Sequence, residues 1–191
     1  GFSETEIHYV ILSHLHFDHA GGILPTYKEQ QKGITELLFP NAKYVVGKEA
    51  WERALKPHPR DRASFIPGLT DKLLASKRLV IVDQEKTLPG FEDSLFFIKT
   101  DGHTPGQLHS LVQVEKEKLF FCGDLIPGKA WLNPAITMGY DRYPEKLIDE
   151  KALILHRAAQ ENWILFFTHD PEIYGAQIEF ADKVVIKKEY S

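Results

Sequence analysis

The chain has 191 residues, 43% of them hydrophobic and 26% charged, with a formal net charge of −4. That balance belongs to one soluble globular domain with a buried core, and it offers no broad basic surface for a nucleic-acid backbone. There is no run of about 18 apolar residues and no charged stretch leading into an apolar one, so neither a membrane span nor a signal peptide is expected. The single Cys122 excludes an internal disulfide and is compatible with a reducing, cytoplasmic setting.

In chain order, an apolar strand over residues 7–12 runs into Ser13-His14-Leu15-His16-Phe17-Asp18-His19-Ala20-Gly21-Gly22, a cluster of imidazoles and a carboxylate. Gly21 and Gly22 are read as sites of close backbone approach or positive φ, and residues 23–31 as a short helix. Phe39-Pro40-Asn41 breaks the chain before a strand over 43–46, and Gly47 separates that strand from a helix over 48–55. Residues 56–78 are polar and proline-broken, then apolar and turn-rich. They predict an irregular excursion over one face, either a lid that shapes a substrate pocket or a surface insertion, with His58 solvated. The β pattern resumes at 79–82, 95–100, 108–115 and 118–122, strands expected to form one twisted sheet. Residues 144–160 predict an amphipathic helix with Leu147, Ile148, Ala152, Leu155 and Ala159 on or near one face. A strand over 163–168 and a hairpin from 177–180 and 183–187 close the chain. This alternation is that of an α/β protein.

The composition of the histidine cluster is that of a metal site, because imidazole and carboxylate suit Zn and neighbouring divalent ions. His14 and His16 can point the same way from an extended segment, whereas the adjacent Asp18 and His19 diverge unless the backbone turns, so the spacing suits two metals better than one. A purification tag would lack both the apolar strand before the cluster and the Gly-Gly turn after it. Three more ligand types stand where predicted strands end: His103 in Asp101-Gly102-His103-Thr104-Pro105-Gly106, Asp124 after Gly123, and His169 in Thr168-His169-Asp170-Pro171. Singly each is an ordinary turn residue. Together they matter, because strand ends on one sheet edge are rigid positions from which separated residues converge. His8, His109 and His156 read as packing or surface residues, and Cys122 as a buried structural thiol. Asp101 and Asp170 read as turn formers or as partners that orient an imidazole, and Trp131, Leu132 and Tyr140 as core or pocket lining.

On His14-x-His16-x-Asp18-His19, followed in order by His103, Asp124 and His169, the sequence resembles the metallo-β-lactamase superfamily, nearest its lactonase-like and organophosphate-hydrolase-like groups. The resemblance implies an α/β fold, an α+β sandwich with αβ/βα layers. It implies that His14, His16 and His103 hold one metal, that Asp18, His19 and His169 hold the other, and that Asp124 bridges them. The expected cofactors are two divalent ions, Zn first, with Fe, Mn or Co as alternatives. A hydroxide held between them is the expected nucleophile towards an ester, lactone, thioester or phosphotriester bond of a small-molecule substrate. Asp18 and Asp124 are the expected catalytic residues, with Asp18 passing a proton to the leaving oxygen. Ser13 and Ser110 lie outside any Gly-x-Ser-x-Gly elbow and are not needed as nucleophiles. The competing readings are an iron-dependent oxidoreductase of the same fold and a non-catalytic metal-binding fragment. Neither nucleic acid nor a membrane is expected as a partner. Against the family pattern, the strands ahead of the first motif are largely absent, so residues 1–191 are expected to form a single, N-terminally incomplete domain. A missing N-terminal fragment, or a second copy in a homo-oligomer, is expected to cover the sheet.

Overall fold

Three short runs rich in β-branched and aromatic residues make the first sheet. Tyr9–Leu12 (β1), Lys43–Gly47 (β2) and Leu79–Val82 (β3) pair in parallel, in the order β1-β2-β3. Tyr44, Val45 and Val46 of the central strand are fully buried, the continuous apolar run of a parallel strand covered on both faces. The computed structural model describes residues 1–83 and 87–191, and its packing divides the chain into two units, Gly1–Asp83 and Gln84–Ser191, each with its own sheet.

Parallel neighbours need a crossover. Between β1 and β2 the chain forms Phe17–Ala20 (α1) and Tyr27–Gln31 (α2). Between β2 and β3 it forms Lys48–Leu55 (α3) and Leu69–Ala75 (α4). Ala50, Trp51 and Ala54 are the buried stripe of α3, which packs on β2 and β3. With Leu12, Tyr44, Val46 and Leu73 they form the core of this unit.

The second sheet runs in chain order: Leu95–Thr100 (β4), Gln107–Val114 (β5), Glu117–Phe121 (β6), Ile164–Phe166 (β7), Gly175–Phe180 (β8) and Val184–Tyr190 (β9). All neighbours are antiparallel except β6 and β7. The connection between those two contains the helix Pro144–Gln160 (α5), with proline in its first turn, where its missing N–H costs nothing. Leu147, Ile154, Leu155 and Ala158 of α5 meet Phe120, Trp163, Leu165, Ala176 and Ile178 in a second core, each large aliphatic side chain contributing about 1.5–3 kcal/mol on burial. The far end of α5 is tied down by Glu161, which accepts from Lys118, Arg157 and the Trp163 indole. The Lys118 ammonium foremost, helped by the other two, brings the Glu161 carboxyl down to about 2.

Four expectations need correction. Residues 79–82 do not join the later strands: β3 pairs with β2, Tyr44 facing Leu79, because helices separate them and favour a parallel crossover, whereas tight turns join β4, β5 and β6. The 56–78 excursion is not wholly irregular, since it contains a 3-10 turn at Arg62–Ser64 and α4. Pro67-Gly68 marks the start of that helix, Gly68 taking φ 76°, and Leu69 and Leu73 are its buried pair. The buried face of α5 is Leu147, Lys151, Ile154, Leu155 and Ala158, so Ile148, Ala152 and Ala159 lie at its margin and a lysine lies within it. Gly21 has φ −64° and Gly22 has no atom within 4 Å of a built Cβ, so neither is needed as glycine for space or conformation. Among the described residues, no helix is long and apolar enough to cross a membrane.

Candidate metal centre

In the first unit, Ser13 and His14 directly follow the end of β1, and His16 is the N-cap of α1 in extended backbone, its carbonyl accepting from the N–H of His19 and Ala20 at 3.1 and 2.9 Å. An extended segment puts residues two apart on one side, and the following helical turn swings His19 back to them. The His14 ring centroid lies 4.5 Å from that of His16 and 4.2 Å from that of His19. Asp18 Oδ2 is 3.5 Å from His19 Nε2 and is the exposed member of the group. Ser13 Oγ, 3.1 Å from His14 Nδ1, fixes that ring. The excursion reaches this cluster: Phe65 bridges His16 through the backbone and meets its ring edge-on at 5.0 Å. Beside it Leu15, Ala54, Pro57, Phe65, Ile66 and Leu69 line an apolar cavity of about 250 Å³.

In the second unit, topology puts three ligand types on one edge. β4 and β6 both run antiparallel to β5, and β7 runs parallel to β6, so the C-terminal ends of β4, β6 and β7 lie side by side. His103, Asp124 and His169 follow those ends. Asp124 lies between the two imidazoles, with His103 Nε2 3.3 Å from Oδ2 and His169 Nε2 3.3 Å from Oδ1. His103 and Asp124 are buried, and His169 is partly open to solvent.

The backbone here is held closely. Gly102 allows the first turn of α5 to approach, for a Cβ there would lie 2.4 Å from Leu147 Cα. The Glu150 carboxylate accepts from the N–H of Asp101 and Gly102, and the Gly102 carbonyl accepts from Tyr143 at 2.8 Å. Gly123 takes φ 49° just before Asp124, and Gln107, with its amide oxygen turned to them, accepts from the N–H of Asp124 and Leu125 at 3.1 and 3.2 Å. Thr168 Oγ1 donates to the Gly123 carbonyl, and the His169 N–H to Pro127.

Sequence reasoning missed Asp141. Its Oδ1 accepts from His103 Nδ1 at 2.8 Å, and both side chains are fully buried. This bond holds a proton on Nδ1 and turns Nε2 towards Asp124, the support usual for metal-binding histidines. Nothing local marked it: Met138-Gly139-Tyr140-Asp141 reads as an ordinary turn. The two aspartates considered for that role are turn formers instead. Asp101 accepts from the Gly106 N–H and Lys146, and Asp170 from the N–H of Lys129, Glu172 and Ile173. Leu132 and Trp131 belong to the core, whereas Tyr140 is exposed and stands edge-on to His103, ring centroids 5.9 Å apart.

The remaining histidines are structural or exposed. His58 accepts from the Arg60 N–H, His156 stacks on Phe180, and His8 is exposed. His109 is fully buried, donates from Nδ1 to the Phe121 carbonyl, bonds Thr100 through Nε2 and stacks on Phe120. Burial brings its pKa from 6.5 to about 4. Below pH 6.5 the unfolded chain therefore takes up a proton that the folded chain refuses until about pH 4. This contribution is full above pH 6.5 and is lost on acidification, by about 3 kcal/mol. Urea unfolding of the metal-free protein at pH 7 and pH 4.5 should show that acid slope, and the slope should shrink in His109→Gln. An identical slope in the variant would assign it to other groups.

A family model described as the metallo-beta-lactamase superfamily matches residues 1–169. An N-acyl homoserine lactonase of a Bacillus species is 26% identical over 174 residues, covering 90% of this chain and 59% of that protein. The N-acyl homoserine lactonase AttM of Rhizobium radiobacter is 29% identical over 119 residues, covering 62% of this chain and 40% of its own length. Among solved structures, a probable metal-dependent hydrolase from Staphylococcus aureus has a TM-score of 0.83 at 24% identity, covering 100% of this chain and 64% of that one. AidC, a dizinc quorum-quenching lactonase in complex with a product, has a TM-score of 0.78 at 26% identity, covering 100% of this chain and 67% of its own. The chain spans about three-fifths of the length, 59%, of the first Bacillus lactonase.

Proposed function

Because the chain belongs to the metallo-β-lactamase superfamily, we propose that it is a hydrolase of small molecules that holds two divalent metals, Zn first, and opens a lactone in preference to other ester-type bonds. His14, His16 and His103 would hold one ion, Asp18, His19 and His169 the other, and Asp124 both.

The observation that carries this reading is the carboxylate between two imidazoles, one at each oxygen of Asp124, both at 3.3 Å. Asp141, accepting from Nδ1, turns His103 Nε2 towards a carboxylate oxygen of Asp124. Imidazole nitrogens gathered on the two oxygens of one buried carboxylate are a donor set that a divalent cation would hold together. The donor set suits Zn: neutral imidazoles and carboxylates, with no thiolate. When bound, such ions make a nucleophile from water at neutral pH and polarise the bond under attack. The protein's own residues do the rest. Asp18, exposed beside His19, would take the proton released by the attacking water and hand it to the leaving oxygen, and Asp141 and Ser13 hold His103 and His14 in their orientations. The lactone preference rests on the curated relatives, which are lactonases. The apolar cavity beside Phe65 suits an acyl chain, which makes the 56–78 excursion part of the substrate pocket.

Elemental analysis of the purified protein, run beside initial rates on an N-acyl homoserine lactone, a thioester and a phosphotriester, tests the reading. About two Zn per chain with lactone turnover ahead of the other substrates is the expected result. Well-folded protein that takes up no metal when Zn is supplied would overturn it, as would iron with a redox-active absorption band and no hydrolysis.

A further inference from the structure

Lys151 stands in the middle of α5, fully buried, on the same face as Leu147, Ile154 and Leu155. An ammonium in that position is costly unless its donors and its charge are both answered. Its Nζ donates to the Ile136 carbonyl at 2.5 Å and lies 3.5 Å from the Asn133 carbonyl. Both carbonyls belong to the loop over 133–141 that ends on Asp141. Burial lowers the Lys151 pKa to about 8 while the charge of Asp141 opposes the shift, so the ammonium is the main form at neutral pH. Asp141 bonds on both oxygens, Oδ2 accepting from the Met138 N–H at 2.6 Å and Oδ1 from His103 Nδ1 at 2.8 Å. A chain of contacts thus leads from α5 through the loop to a candidate ligand.

We propose that Lys151 is a positioning residue for the metal ligand His103, acting through Asp141. Its ammonium closes the 133–141 loop onto α5 and places a positive charge towards Asp141, which then holds the proton on His103 Nδ1 and leaves Nε2 for the metal. Its position explains why a lysine stands in the apolar face of a long helix: a leucine there would fill the space but leave the loop carbonyls without a donor and Asp141 without a positive charge nearby. The inference rests on the metal reading given above.

The test is a double-mutant cycle with K151M and D141N, read as Zn affinity in competition with a chromophoric chelator and as the His103 ring tautomer from 15N chemical shifts. Each single variant should weaken Zn binding by about 10–100-fold, the usual effect of removing a partner of a metal-bound imidazole. K151M should add nothing in the D141N background. Affinity unchanged in K151M, or an undiminished loss in the D141N background, would overturn the proposal, since Lys151 would then act on packing alone. K151Q, which keeps a donor for the Ile136 carbonyl and drops the charge, carries the test if K151M does not fold. Loss of affinity in K151Q supports the proposal, and wild-type affinity overturns it. Should the wild type bind no Zn, the metal reading fails, and the tautomer in metal-free protein still decides: Nδ1–H retained in K151M and K151Q means that Lys151 does not act on His103, and its loss there means that it does.

Discussion

Asp124→Asn is expected to remove metal from the protein and to abolish turnover while leaving the chain folded. The substitution conserves volume at a buried site, so the change is one of charge: a carboxylate flanked by His103 and His169, each 3.3 Å from a different oxygen, becomes a neutral amide. An amide has one acceptor oxygen and cannot serve two cations with two oxygens. Metal content should fall from about two per chain to one or less, and the metal-assisted part of catalysis, several kcal/mol, corresponds to a loss of about 10³-fold or more in rate. Elemental analysis, circular dichroism and initial rates on the same sample check it. Both metals bound at wild-type affinity in D124N would remove Asp124 from the bridging role. Loss of fold would instead make it a structural residue of the sheet edge.

Gly102→Ala carries the largest expected effect on stability. An added Cβ would lie 2.4 Å from Leu147 Cα and 2.5 Å from its N, which are backbone atoms of α5 that no rotamer change can withdraw. The helix cannot drift away cheaply either. Tyr143 N–H is bonded to the Gly102 carbonyl, and Glu150 holds the N–H groups of Asp101 and Gly102. Overpacking against such a clamp costs about 3 kcal/mol, a fall in Tm of about 6–12 °C for a chain of this length. Because His103 follows directly, Zn affinity should fall as well. Gly22→Ala is the control: nothing lies within 4 Å of a Cβ there, and its Tm should stay at the wild-type value. Equal melting temperatures for the two variants would show that α5 yields to the extra carbon.

The contrast between these glycines separates the two kinds of information in the chain. Gly21 and Gly22 follow a dense ligand motif and invite a functional reading, yet a Cβ at Gly21 would make only ordinary contact with Ile66 and one at Gly22 would meet nothing. Gly102 looks like one more turn residue, and its role appears only when residues 45 positions apart, Gly102 and Leu147, come together. His103 is similar. Its type and its place after a strand are local facts, whereas its partner Asp141 lies 38 positions away and carries no periodicity or motif to mark it.

By itself the sequence determined the candidate ligand types, the strands whose ends carry them and the long helix Pro144–Gln160, because these depend on side-chain chemistry and on apolar periodicity over a few residues. The tertiary structure decided which strands share a sheet, which face of α5 is buried, and which side chain orients His103. Those outcomes rest on contacts between distant segments. Residues 79–82 had a strand pattern that fits either sheet, and only pairing with Tyr44 and Val45 settled its place. Lys151 broke the apolar pattern of its helix, and it lies in the core because the carbonyls of the 133–141 loop and the charge of Asp141 meet it there. Local pattern specifies what a segment can be, and the desolvation of its polar groups against particular neighbours selects what it becomes.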